Sequence, residues 1–216
     1  MKEKPNEWVS ISDLMAGVMA VVMLLLVLSV LQNKFADIKR EQEKNQGAQA
    51  EQQRMVDLLK GMRQTMEEDG DADLVSFDLA GSKITLRDRI FARGSACVTD
   101  EARQALAHLG TKVAEFIRGS GQAQVFVEGH TDNIQVSRPV TDFAKFCTVY
   151  DDNFTLSAAR AREARKLLIA LLDQAQAKQV IVAGFGDSQP LPGIDPGDER
   201  NRRVEVQFLN RSTQKI

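Results

Sequence analysis

At 216 residues, the chain has room for one ordinary domain and a modest addition. Its net charge is −2, so no basic field advertises nucleic acid, and no nucleic-acid partner is expected. Two histidines and two cysteines exclude a His-rich metal centre and a disulfide framework, and no organic cofactor or metal is expected.

Residues 1–8 form a short N-terminus ending on Trp8, a residue type that anchors at membrane interfaces. Residues 9–31 read as a transmembrane helix. Residues 14–31 carry no charge, and only Gly17 and Ser29 among them are not apolar. At 1.5 Å per residue, a helix over 9–31 reaches about 34 Å, enough to cross the hydrocarbon of a bilayer. The apolar run is longer than a signal-peptide core, and no small-residue cleavage site follows it, so an uncleaved anchor is expected. Asp13 interrupts the span. A carboxylate inside a membrane helix costs roughly 2.5–3.5 kcal/mol near the centre and usually faces a partner helix or an ion path. The alternative is a capping carboxylate at the interface. Lys2 and Lys4 lie on one side of the span and Lys34, Lys39 and Arg40 on the other, a count that slightly opposes a cytoplasmic N-terminus and does not set the orientation.

Residues 32–70 are rich in Gln, Glu and Lys and lack Pro. Leu31, Ile38, Leu59 and Met66 share one heptad register, with Asn45 and Gln52 between them. A helical stalk, paired through those four residues in a homodimer, stands beside the alternative of a flexible linker. Residues 67–73 form an acidic turn and the expected boundary of a domain at 71–210, with 211–216 as a tail.

Strand and helix signals alternate through that domain. Strands are expected at 74–79, 83–86, 124–128, 179–183 and 203–209. Thr99 and Asp100 precede a helical face through Ala102, Leu106, Leu109, Val113, Phe116 and Ile117. A second helix is expected over 155–175, with Leu167, Leu168, Leu171 and Leu172 inward. The fold class is therefore α+β: one N-terminal transmembrane helix, a helical stalk and a βαβαβ-type sandwich.

The chemistry-bearing residues sit at strand ends and loop edges: Gly129-His130-Thr131-Asp132, Asn153-Phe-Thr-Leu156-Ser157-Ala-Ala-Arg160-Ala161, Gly184-Phe-Gly186 with Pro190, and Asn201-Arg202-Arg203-Val204-Glu205. On the residues alone, Asp132 reads as a loop cap and Arg160 as a solvated helix residue. His130 and Asp132 lack a third ligand or a nucleophile, which argues against a metal site or a catalytic dyad. Gly184-x-Gly186 is followed by prolines rather than a helix, so it is no dinucleotide loop.

In this order, the four motifs resemble the OmpA C-terminal family of peptidoglycan-binding domains over residues 77–209. The resemblance implies an OmpA-like sandwich that is not an enzyme. It maps Asp132 and Arg160 onto the pair that grips diaminopimelate in the peptide stem, with Thr131, Asn153 and Arg202 beside them. An anion for an ammonium and a planar bidentate donor for a carboxylate suit a zwitterionic amino acid.

Trp8-x-x-Ile11-Ser12-Asp13-Leu14-Met15, followed by Ala16-Gly17-Val18-Met19-Ala20, is similar to the membrane segment of B subunits of ion-driven rotary stators, as in the flagellar MotB family. It departs from that pattern at Ile11, Ser12, Ala16 and Gly17. The resemblance maps the proton- or sodium-carrying aspartate onto Asp13. It implies a homodimer of this chain inside five polytopic A-type (MotA/ZorA-like) subunits, in the bacterial inner membrane. The N-terminus would be cytoplasmic and the C-terminal domain periplasmic. The compact N-terminus further resembles ZorB subunits of Zorya anti-phage systems, which points to a non-flagellar motor. The alternatives are a flagellar stator subunit and a static cell-wall anchor without ion transport.

A periplasmic placement also bears on Cys97 and Cys147. The segment 134–152 is long for the family, and a disulfide between the two cysteines would tether it. Two free thiols, or pairing across a dimer, are the alternatives.

Overall fold

The computed structural model describes residues 7–68, 70, 73–119 and 123–210, excluding the side chains of residues 7–13, 44, 48 and 51. The chain forms two units, residues 1–51 and 52–216.

A single helix, α1 (Glu7–Glu68), contains the whole expected span and the polar segment after it. Its backbone includes position 13, but the side chain of Asp13 lies outside the described residues, as do the tail 211–216 and the first six residues. Among the described residues this is the one helix long and apolar enough to cross a membrane. The apolar side chains from Leu14 to Leu31 are exposed. No proline interrupts the helix, and helix-forming Gln, Glu, Lys and Ala carry it through the polar stretch.

The end of α1 departs from the expected stalk. Residues 52–68 belong to the compact C-terminal unit. Met55, Leu59, Met62 and Met66 recur at helical spacing and join the core of the domain, with Leu59 fully buried and Met66 only 3% exposed. The heptad seam expected to pair two chains through Leu59 and Met66 is therefore spent within one chain. Leu31 and Ile38 remain exposed.

The domain is a five-stranded sheet with two long helices. The strands β1 (Val75–Asp78), β2 (Lys83–Arg87), β3 (Ala123–His130), β4 (Val180–Gly184) and β5 (Arg203–Asn210) lie in the order β1-β2-β5-β3-β4. β3 and β4 run parallel, and the other neighbours are antiparallel. Helix α2 (Asp100–Gly119) starts where the Thr99 hydroxyl accepts from the Ala102 N–H, and it buries Ala102, Leu106, Leu109, Val113 and Ile117. A one-turn helix, α3 (Phe143–Phe146), lies in the segment that follows β3. Helix α4 (Asn153–Leu168) crosses between the parallel strands. It ends at Ile169, short of the expected 175, and a turn of helix, α5 (Gln174–Ala177), follows. Leu168 is buried as expected, but Leu171 lies beyond the helix end and is exposed.

Alternation divides the sheet into two faces. Ile84, Leu86, Val125, Val127, Val204, Val206 and Phe208 are buried in the core with α2 and α4. The other, partly open face carries Thr85, Arg87, Glu128, His130, Arg203 and Glu205, of which the last three are buried. Glycines let α4 approach the sheet. A Cβ at Gly129 would stand 2.0 Å from the Ser157 carbonyl oxygen, and one at Gly184 would stand 2.6 Å from the Ala158 Cβ. This close seating fixes the start of α4 against the ends of β3 and β4.

Candidate functional site

Three of the motifs meet at that seat. Beyond His130, the last residue of β3, the Thr131 N–H donates to the Gly186 carbonyl at 2.8 Å. The Asn153 amide, in the first turn of α4, donates to the carbonyls of Asp132 at 3.2 Å and Ile134 at 3.1 Å. Ser157 closes the third corner by accepting from the Gly186 N–H at 2.9 Å. Asp132 is thus held at the strand end, with one carboxylate oxygen accepting from the Ile134 N–H at 3.2 Å. It caps its loop, as the residues alone suggest, but it is only 6% exposed.

Arg160 is not the solvated helix residue of that same reading. It is 2% exposed, lies over the Phe91 ring at 5.5 Å, and donates from Nε to the Ser95 carbonyl at 3.0 Å. Its Nη1 stands 3.3 Å from Oδ1 of Asp88, without a hydrogen bond. Burial lowers the Arg160 pKa, and the Asp88 carboxylate opposes the shift.

Arg202 completes the group. It reaches Oδ2 of Asp132 at 2.8 Å, Oδ2 of Asp88 at 3.1 Å and Glu199 at 3.3 Å. Asp132 and Arg160 therefore do not face each other as an isolated pair. A chain of alternating charge, Asp132–Arg202–Asp88–Arg160, links them along one wall of an open cleft of about 500 Å³. Thr131 and Asn153 also line the cleft, so all five expected residues share it. The Thr131 hydroxyl is buried with no hydrogen-bond partner among the described residues. With carboxylates and guanidiniums side by side, the cleft can take an ammonium and a carboxylate of one ligand at once.

Asp88 has no counterpart among the sequence-derived candidates. It follows β2 in an Arg-Asp-Arg triplet that looks like an ordinary charged turn. Only the pairing of β2 with β5 brings it beside Arg202.

The outer rim of the cleft is the segment 134–152. Cys97 and Cys147 are joined by a disulfide, with Cα atoms 5.1 Å apart. Around it, the Ala96 N–H and the Ser95 hydroxyl both donate to the Phe146 carbonyl at 3.0 Å, and the Tyr150 hydroxyl donates to the Gly94 carbonyl. The bond thus ties the rim to the strand-like turn whose Ser95 carbonyl holds Arg160.

A second charged cluster lies on the open face of the sheet. Ligand-type atoms of Glu128, His130 and Glu205 lie within 4.8 Å of one another. Lys83 and Arg203 already hold the two oxygens of Glu205, the latter at 2.6 Å, and their positive charge disfavours a cation there. His130 is 1% exposed, stacks on Phe185 at 5.3 Å, and has no hydrogen-bond partner on either ring nitrogen among the described residues. Burial foremost, then Arg203 and Lys83, lower its pKa to about 4, against the pull of Glu205.

That shift predicts a pH dependence of stability. An unfolded histidine titrates near 6.5, so below that pH the unfolded chain takes a proton that folded His130 refuses. The contribution is complete above pH 6.5 and is lost as pH falls from 6.5 towards 4. At about 1.4 kcal/mol per unit, the loss reaches roughly 3 kcal/mol at the acid end. Denaturant unfolding at pH 7 and pH 4.5 measures it. The His130→Asn variant should lose most of this slope, and an unchanged slope would remove the assignment to His130.

The model of the OmpA family matches residues 90–203, which includes both long helices, the disulfide and every lining residue of the cleft except Asp88. The chain belongs to the OmpA family. Among solved structures, it is 30% identical to the cell wall anchor of the T6SS from Pseudomonas aeruginosa, covering 69% of this chain and 96% of that one, with a TM-score of 0.51. It is 26% identical to a MotB-like protein from Desulfovibrio vulgaris, covering 74% of this chain and 99% of that one, with a TM-score of 0.54. No curated protein matches it.

Proposed function

We propose that this chain is the B subunit of an ion-driven rotary motor in the bacterial inner membrane, anchored to peptidoglycan by its C-terminal domain. The observation that carries the reading is the union of two parts in one chain. A membrane-length apolar helix is followed by an OmpA-family domain whose cleft sets carboxylates beside guanidiniums. Similarity at 26% identity to a MotB-like protein, over 99% of its solved chain, supports it.

In this reading Asp13 carries the coupling ion, a proton or sodium, between polytopic A-type subunits and a pair of these chains. Five A-type subunits surround two copies. The N-terminus lies in the cytoplasm and the domain in the periplasm, where the Cys97–Cys147 bond is chemically at home. Asp132 and Arg160, with Thr131, Asn153 and Arg202, hold the zwitterionic end of a peptide stem. The motor in this reading is a non-flagellar one of the Zorya anti-phage type. Finding a nuclease or helicase gene beside that of the A-type subunit would support that assignment.

Similarity to a cell wall anchor, at 30% identity, favours a second reading, a static tether with no ion transport. Purification from membranes separates the two. A motor subunit co-purifies with a polytopic partner, and proteoliposomes of the complex take up protons or sodium along an imposed gradient. A static anchor binds sacculi and gives neither result.

A further inference from the structure

The cleft is not the only charged recess beside Arg202. On the open face of the sheet, a groove of about 460 Å³ is lined by Arg87, Arg89, Arg200, Arg202 and Arg203 against only two acids, Asp88 and Glu199. Three of the arginines are neutralised. Arg200 is held by Asp198 at 2.7 Å, Arg203 by Glu205 at 2.6 Å, and Arg202 by Asp132, Asp88 and Glu199. Arg87 and Arg89 are exposed and have no ion pair among the described residues.

The position of Arg87 is unfavourable by itself. It stands directly across from Arg203 in the β2–β5 register, on the same face of the sheet. Like charges at such a position repel and destabilise the strand pair. Glu205 is already taken up by Arg203 and Lys83, so the excess positive charge at Arg87 and Arg89 calls for an anion from outside. Thr85, one step along the same face, adds a hydroxyl at the groove floor. Asp88 and Arg202 form a wall common to this groove and the Asp132–Arg160 cleft.

We infer that the groove of Arg87 and Arg89 is a second anion subsite, taking a free carboxylate of the same peptide stem whose zwitterionic end occupies the cleft. The inference rests on the peptidoglycan reading for its occupant. Stem peptides carry carboxylates along their length, and an arginine fork matches a carboxylate in two parallel hydrogen bonds. A ligand lying across the shared wall would meet alternating charge in the cleft and uncompensated positive charge in the groove. The two subsites would then fix the direction of the stem as well as its end.

Full-length protein in detergent micelles tests this in two ways. Glutarate, a soluble dicarboxylate, is titrated while the arginine Nε–Hε NMR signals are followed. The Arg87 and Arg89 signals should shift, and glutarate should shift no arginine signal of the groove in the double variant R87Q/R89Q. Retention on purified sacculi should fall roughly tenfold in R87Q/R89Q. Sacculi with amidated stem carboxylates should bind wild type and variant alike. Unmoved Arg87 and Arg89 signals, or equal retention of both proteins on unmodified sacculi, would overturn the inference. Tighter binding of inorganic phosphate than of glutarate would overturn the carboxylate occupant. Binding of glutarate by a wild type that ignores sacculi would sink the peptidoglycan reading while leaving the anion subsite in place.

Discussion

Replacing Asp13 by asparagine should abolish ion uptake by the reconstituted complex while insertion and assembly with the A-type subunit persist. Asp13 is the only acid among residues 9–31. A carboxylate there costs up to about 3 kcal/mol when ionised, and protonation removes that cost. Such a group alternates between two states with different partner contacts as ions arrive and leave. Asparagine keeps the size and the hydrogen-bonding edge but does not titrate, so it freezes one state. The effect is all-or-none rather than graded, because no other side chain in the span can substitute. Ion flux in proteoliposomes and co-purification of the partner are read together. Asp13→Glu, which keeps the carboxylate, should retain part of the flux. Full flux in Asp13→Asn would refute the motor reading and leave the static tether standing.

The second large effect is expected at the cleft. Asp132→Asn combined with Arg160→Lys should reduce retention on sacculi by roughly 10- to 100-fold, since each charge-assisted hydrogen bond is worth about 1.5–3 kcal/mol. Conservative replacements are needed because Arg160 is buried against Asp88 and the Ser95 carbonyl. Truncation to alanine would strand those groups, and losing one member of a buried pair costs about 3–5 kcal/mol. Asp132→Asn keeps the loop cap to the Ile134 N–H while removing the charge that meets an ammonium. Arg160→Lys keeps the positive charge but loses the planar fork. Thermal unfolding of the same proteins separates lost binding from lost folding. A double variant that stays folded and binds sacculi like wild type would exclude this cleft as the stem site.

Several features of this protein follow from the chain read in one dimension. The uncharged, mostly apolar run from Leu14 to Leu31 specifies a helix long and apolar enough to cross a membrane, because length and composition are local properties of the chain. The strands and helices of the domain follow from periods of two and 3.6 residues. The motifs around Asp132, Asn153 and Arg160 share one cleft because Gly129 and Gly184 let α4 close onto the strand ends.

The tertiary structure decided the rest. The last turns of α1 show an apolar stripe that serves a second copy or the chain's own domain equally well, and only the packing of Leu59 and Met66 chose the domain. Asp88 carries no local signal, and Arg87 reads as one more solvated charge. Both acquire their meaning from the β2–β5 register, which sets Asp88 between Arg160 and Arg202 and sets Arg87 against Arg203. Strand pairing joins residues far apart in sequence, so electrostatic neighbours of this kind are invisible to any window along the chain. The sequence names the charges, and the sheet determines which of them are left unanswered.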